Sequence, residues 1–165
     1  MDLYALYLEG IRETLMKNNV RLGHLGSRER LPEKVLDKLD GTLDMTAGND
    51  GMTLGLALNY GSRTEIVDAV KAIAEKCKNG ELSPGQIDQK CVSDHLYTAG
   101  WADPDLLIRT SGEIRISNFL LWQISYAEFY VTDKYWPDFD KPDLDEAIKT
   151  FAGRVRRMGD IKAGK

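Results

Sequence analysis

Strand-like apolar runs that alternate with helix-period segments constrain this chain more than any other feature. Met52 to Tyr60, MTLGLALNY, carries no charge and reads as a strand that is fully apolar in its middle. Gly61-Ser62 closes it, and Ile66, Val67, Val70, Ile73 and Ala74 then recur at helical spacing as an inward face, ending near Asn79-Gly80. Ser62 followed by Glu65 is a capping-box signature for that helix. Leu106-Leu107-Ile108 is a shorter apolar run that fits a strand buried on both faces. Val20 to Leu25 and Phe129 to Thr132 add two further strands. Strands alternating with helices argue for an α/β fold, a parallel sheet of about four strands with helices on both faces.

The remaining helices follow from periodicity and from their start and stop signals. Leu3, Leu6, Tyr7, Ile11, Leu15 and Met16 repeat almost from the first residue and stop near Asn18-Asn19. Pro32 sits where a first helical turn tolerates a missing N–H, and Val35, Leu36, Leu39 and Leu43 form the face that follows. Thr46 to Gly51 is a turn-rich break. Helices are also expected from about Gln86 to Tyr97, from Phe119 to Ser125 and from Leu144 to Met158, with a polar, frayed tail from Gly159 to Lys165. The first helix starts abruptly, as though the chain enters mid-fold. At 165 residues the length suits a single domain.

Charge and composition exclude several classes. The net charge of −4 argues against nucleic acid as a partner, because such binders carry a basic face. Arginines nevertheless cluster at Arg28/Arg30, Arg109/Arg115 and Arg154/Arg156/Arg157, which suits local anion sites on an acidic protein. Cys77 and Cys91 lack Cys-x-x-Cys spacing and read as reduced thiols of a cytoplasmic protein. His24 and His95 are isolated and read as structural or surface residues rather than zinc ligands. No apolar run approaches the about 20 residues a membrane span needs, and no signal peptide precedes the first helix.

The stretch from Asp105 to Asp140 carries the chemistry. Arg109 and Arg115 bracket the Thr110-Ser111-Gly112 break, and Ser117 and Asn118 follow. Two guanidiniums, hydroxyls and a glycine-relaxed backbone beyond the carboxyl end of a strand are what a diphosphate requires. The alternative is surface pairing of the arginines with Glu113 or Asp105, and Ser117 also suits a cap for the segment from Phe119. Glu128 lies inside an aromatic run and needs a partner, either an arginine or a metal. Trp122, Tyr126, Phe129, Tyr130, Tyr135 and Trp136 read as core and dimer packing. Arg154, Arg156 and Arg157 read as a solvated helix end. Asn59 and Arg63 flank a strand end and a helix start, where structural use is favoured over an accessory anion site.

RTSGEIRISNFLLWQISYAEFY closely resembles the C-terminal signature of the cis-prenyltransferase family, the undecaprenyl diphosphate synthase group. LYLEGIRETLMKNNVRLGHLG, TLGLALNYGSRTEIVDAV, WPDFD and RRMG extend the resemblance over essentially the whole chain. It implies that Arg109, Arg115 and Ser117 hold the diphosphate of isopentenyl diphosphate and that Glu128 is associated with Mg²⁺. It implies too that Arg157 and Gly159 contribute to the acceptor site at a homodimer interface. The implied reaction is condensation of isopentenyl diphosphate onto an allylic diphosphate, with loss of a proton to give a cis double bond. A peripheral membrane contact would arise through the long-chain product.

Two family segments are missing. A Met-Asp-Gly-Asn-Gly-Arg-Trp-Ala motif, whose aspartate is catalytic and ligates Mg²⁺, is not found, nor is a Ser-x-Glu-Asn-x-x-Arg-Pro stretch. Gly48-Asn49-Asp50-Gly51 is the closest string and lies in a turn. Ile114 stands where relatives usually carry a polar residue. The chain is thus expected to be the C-terminal two-thirds of the family's domain, truncated at the N-terminus. No catalytic residue is assigned, and the chain alone is expected to be impaired or inactive. The rival reading is a non-catalytic diphosphate-binding or dimerisation module; a nucleotide-binding protein is disfavoured because no Gly-x-x-x-x-Gly-Lys sequence occurs.

Overall fold

The structure, a computed structural model, describes residues 2–155. The chain divides into two compact units, Met1–Gly100 and Trp101–Lys165. Helices α1 (Asp2–Gly10) and α2 (Arg12–Lys17) lead in the first unit to strand β1 (Arg21–Leu25) and helix α3 (Glu33–Thr46). Strand β2 (Thr53–Ala57), helix α4 (Ser62–Lys78) and the short helix α5 (Gln89–Ser93) complete it. The second unit contains β3 (Leu106–Arg109), β4 (Glu128–Val131) and α6 (Lys141–Ala152). The α/β class and parallel pairing expected from the sequence are present. The four strands, however, form two parallel pairs, β1 with β2 and β3 with β4, rather than one ladder.

The first core forms where α1, α2 and α3 cover β1. Leu8, Leu15, Leu22, Val35 and Leu39 are buried together, and Leu54 and Leu56 of β2 pack against them from one face of the strand. Burying each such side chain is worth about 1.5–3 kcal/mol. Polar groups in this core are paired. The Thr46 hydroxyl accepts from the Leu22 N–H at 3.1 Å, and Asn49 Nδ2 donates to the Val20 carbonyl at 2.8 Å. These contacts turn the TAGNDG break into a fixed crossover. Gly26, at φ +128°, lets the ends of β1 and β2 approach so closely that a Cβ would collide with the Leu58 carbonyl.

Several expectations change in detail. The first helix is interrupted at Ile11, and Pro32 caps α3 from outside its first turn. Gly61, not Ser62, is the N-cap of α4, and Glu65 is drawn into the interior. The face of α4 that turns inward is Ser62, Glu65, Ala69 and Ile73, whereas Val67, Val70 and Ala74 are exposed. The helix expected from Gln86 is reduced to a turn at Pro84–Gln86 and to α5. The reason is local: Asp88 accepts the Cys91 N–H at 2.7 Å and starts a new helix. Phe119 to Ser125 forms turns, because Asn118 (φ 61°) and Leu120 (φ 48°) leave the right-handed region. β3 is half-buried throughout, and α6 begins at an Asp140/Asp143 capping box and ends at Gly153. Arg156, Arg157 and Gly159 lie outside the described residues.

Cys77 and Cys91 are free, as expected, and no helix among the described residues is long and apolar enough to cross a membrane. His24 and His95 are structural: His24 Nε2 lies 3.1 Å from the Leu58 carbonyl and His95 Nδ1 2.7 Å from that of Cys91. Burial lowers the pKa of His24, against the opposing bond to Leu58. Protonation is therefore easier in the unfolded chain. Its contribution to stability is present above the ordinary histidine pKa of about 6.5 and is lost as pH falls through the lower folded value. Urea melts at about pH 7.5 and about pH 5.5 should show a loss of stability in acid that His24→Gln reduces. An unchanged pH slope in that variant would refute the assignment.

Candidate diphosphate site

β3 delivers Arg109 to its carboxyl end, opposite Val131 of β4. The chain then reverses through Ser111 (φ 68°) and Gly112 (φ 63°). The turn is anchored from the segment after β4: the Ser111 N–H donates to the Lys134 carbonyl at 2.7 Å and the Gly112 N–H to that of Thr132 at 2.9 Å. Thr132 N–H returns a bond to the Arg109 carbonyl at 3.0 Å. The positive φ favours glycine at Gly112, and a Cβ there would stand 2.9 Å from Asp133 Oδ1, whose side chain would have to move aside.

The two arginines of this turn converge on one pocket. A cavity of about 260 Å³ is lined by Arg109, Glu113, Arg115 and the apolar side chains of Ile114, Ile116, Phe129 and Val131. Arg109 is half-buried, and its Nε is buried without a hydrogen-bond acceptor among the described residues. An orphaned guanidinium N–H beside a cavity is the observation that best fits an anion. Arg115 is 61% exposed and ion-pairs with Glu113. Glu113, which sequence reasoning treated only as a surface partner, thus joins the site. Ile114 is 88% exposed and forms part of the pocket wall. Ser117 is exposed at φ 53°, next to the pocket-lining Ile116, and no α-helix follows for it to cap.

Glu128 is not drawn to this pocket. It starts β4 and pairs with Leu106, whereas Arg109 lies opposite Val131, so the two ends are separated by the strand's length, about 10 Å. Glu128 Oε2 accepts from Arg154 Nη1 at 2.8 Å. Its partner is an arginine, and Arg154 is tied back to the sheet instead of solvated. No group of three or more His, Cys, Asp or Glu side chains that could hold a metal ion occurs among the described residues. The residues present therefore do not by themselves fit a Mg²⁺ site. Of the aromatic run, Tyr126, Tyr135 and Trp136 are exposed on the single chain, Trp136 by 71%, and Trp136 stacks on Phe139 with centroids 5.9 Å apart.

In the first unit, Asn59 serves structure, as expected. Its Nδ2 donates to the Ser27 and Glu29 carbonyls at 2.9 and 3.0 Å, joining the loops beyond β1 and β2. Arg28 is bound to both carboxylate oxygens of Asp40, at 2.7 and 2.6 Å. Glu65 accepts from the Tyr60 hydroxyl at 2.5 Å and from the Tyr97 N–H at 2.9 Å. The Tyr97 hydroxyl donates to Asp68 at 2.6 Å, which holds the Asp68 carboxyl below its usual range. Burial and this bond push the Tyr97 phenol up.

The family profile described as "Putative undecaprenyl diphosphate synthase" matches residues 1–159. An isoprenyl transferase of Lactobacillus johnsonii is 53% identical over 164 residues, covering 98% of this chain and 69% of the relative. The ditrans,polycis-undecaprenyl-diphosphate synthase ((2E,6E)-farnesyl-diphosphate specific) of Escherichia coli K12 is 44% identical, covering 99% and 65%. Among solved structures, the lavandulyl diphosphate synthase of Lavandula x intermedia, in complex with dimethylallyl diphosphate, superposes with a TM-score of 0.93 at 37% identity, covering 96% and 69%. A probable undecaprenyl diphosphate synthase from Campylobacter jejuni gives a TM-score of 0.84 at 34% identity, covering 96% and 72%. The chain spans about two-thirds of the length of these relatives.

Proposed function

Because the chain belongs to the cis-prenyltransferase family, we propose that it carries the isopentenyl-diphosphate half of a cis-prenyl transfer site. Arg109, Arg115 and Ser117 are the acceptor grip. The single observation that carries this reading is the buried, acceptor-less Nε of Arg109 beside a pocket that Arg115 also lines. The half-buried Arg109 guanidinium is held in place for a diphosphate, whereas Arg115 must exchange Glu113 for it, and the apolar wall of Ile114, Ile116, Phe129 and Val131 suits the hydrocarbon of a five-carbon isoprenoid. Arg157 and Gly159 complete the acceptor site in a homodimer. The exposed Tyr126, Tyr135 and Trp136 form part of the dimer surface.

The reaction is condensation of isopentenyl diphosphate onto an allylic diphosphate to give an undecaprenyl-type product, within a single domain of a cytoplasmic protein. Mg²⁺ would supply charge neutralisation of a departing diphosphate, and Glu128 is the residue that would hold it; among the described residues Glu128 is instead bound to Arg154 and no further ligands gather around it.

A second reading is a diphosphate-binding or dimerisation module without turnover; the Arg154–Glu128 ion pair and the absence of a ligand cluster among the described residues favour it. Incorporation of labelled isopentenyl diphosphate with Mg²⁺ and farnesyl diphosphate separates the two. We expect none or a trace from this chain alone, with isopentenyl diphosphate still bound in calorimetry. Robust turnover would remove the second reading. No detectable binding would overturn both.

A further inference from the structure

Beyond the pocket the chain turns in an uncommon hand. Ile116 lines the pocket wall, and the Phe119 N–H donates back to the Ile116 carbonyl at 3.2 Å. The two residues between them, Ser117 and Asn118, are both left-handed, at φ 53° and 61°. A hydrogen-bonded four-residue turn with positive φ at both central residues is type I′, the mirror image of the common type I turn. Leu120 (φ 48°) is left-handed too, and its carbonyl accepts the N–H of the buried Ile124 at 3.0 Å. The turn is thus held between the pocket wall on one side and a core residue on the other.

Left-handed backbone is costly for a residue with a Cβ, because the Cβ crowds the following carbonyl oxygen. Type I′ turns are accordingly made by Asn-Gly, Asp-Gly or Gly-Gly pairs. Here a serine fills the first central position and an asparagine the second. The arginine turn differs, since glycine takes one of its two left-handed positions, Ser111 and Gly112. Glycine at position 117 would relax the second turn but would remove the hydroxyl. Asparagine visits the left-handed region more readily than serine, because its short amide can bond to nearby backbone. Asn118 therefore carries the hand of the turn, and Ser117 is placed by it. Strained residues of this kind collect at ligand clamps.

We propose that Asn118 is a positioning residue for the diphosphate grip. Its left-handed backbone sets the type I′ hand of the Ile116–Phe119 turn, and that hand places Ser117 for the diphosphate. A type I turn over the same four residues would swing the chain the opposite way and carry Ser117 off its station beside the pocket wall. The inference rests on the diphosphate reading of the pocket and adds to it a residue that acts through the backbone.

The test is calorimetric titration of the 165-residue chain with isopentenyl diphosphate, at a temperature where every variant is folded by circular dichroism. Asn118→Gly keeps the left-handed preference and should bind within about twofold of the parent. Asn118→Ala opposes it and should bind about fivefold or more weakly. On a Ser117→Ala background, Asn118→Ala should have no further effect, because Asn118 acts through Ser117. A purely structural role would lower the melt without this dependence on Ser117. Should Asn118→Ala fail to fold, Asn118→Ser replaces it and is read in the same way. Three results overturn the inference: Asn118→Gly weakens binding as much as Asn118→Ala, Asn118→Ala binds like the parent, or its loss persists undiminished without the Ser117 hydroxyl. Absence of binding by the parent chain would remove the diphosphate reading itself, and this inference with it.

Discussion

Replacing Glu65 with alanine is expected to destabilise the first unit by about 2–4 kcal/mol. Glu65 has no exposed surface, yet it serves two donors from different segments. One is the Tyr60 hydroxyl in the loop between β2 and α4, the other the Tyr97 N–H beyond α5. Alanine strands both donors and opens a cavity, and each unsatisfied buried group costs about 1–3 kcal/mol. The Tyr60 and Tyr97 rings meet edge to face with centroids 6.3 Å apart, so the loss spreads to their packing. Glu65→Gln keeps the volume and one acceptor, and should cost about half as much. Urea denaturation of the two variants checks this. If Glu65→Ala lies within about 0.5 kcal/mol of the parent, the network has no stabilising role.

Arg109→Ala should weaken isopentenyl diphosphate binding by about 10- to 100-fold, the value of one charge-assisted contact in a half-buried setting. Arg115→Ala should cost less, because Arg115 is mostly exposed and already engaged by Glu113. Salt should erode the Arg115 contribution more than that of Arg109, since screening acts chiefly on exposed charges. Glu113→Gln releases Arg115 and should leave affinity equal or tighter. Calorimetry at low and moderate salt provides the comparison. Equal losses for Arg109→Ala and Arg115→Ala, with equal salt slopes, would show that burial does not set the ranking.

How far the fold could be read from the residues depended on whether a signal was local. The run Met52–Tyr60 gave β2, and the Val35/Leu36/Leu39/Leu43 stripe gave the face of α3, because both periods act within one element. Arg109 and Arg115 were also found locally, since the turn between them is short. Ser62-x-x-Glu65 misled for the opposite reason. The spacing fits a cap, but two tyrosines from elsewhere outbid the local use of the carboxylate. Phe119–Ser125 has helical composition, yet Asn118 and Leu120 hold positive φ that composition does not reveal. The Arg154–Glu128 pair spans β4 to the end of α6, and no short-range pattern announces it.

The anchoring of the arginine turn has a consequence for biosynthesis. Ser111 is held by the Lys134 carbonyl, while the Lys134 ammonium reaches Asp143 at the start of α6 at 2.8 Å. A ribosome releases Arg109 and Ser111 before either partner exists. Until Thr132 and Lys134 have emerged, the two carbonyls that anchor the turn do not exist. The nascent chain therefore sets this turn only after β4 has been made. A premature stop before Thr132 would leave every arginine of the turn in place without its anchors.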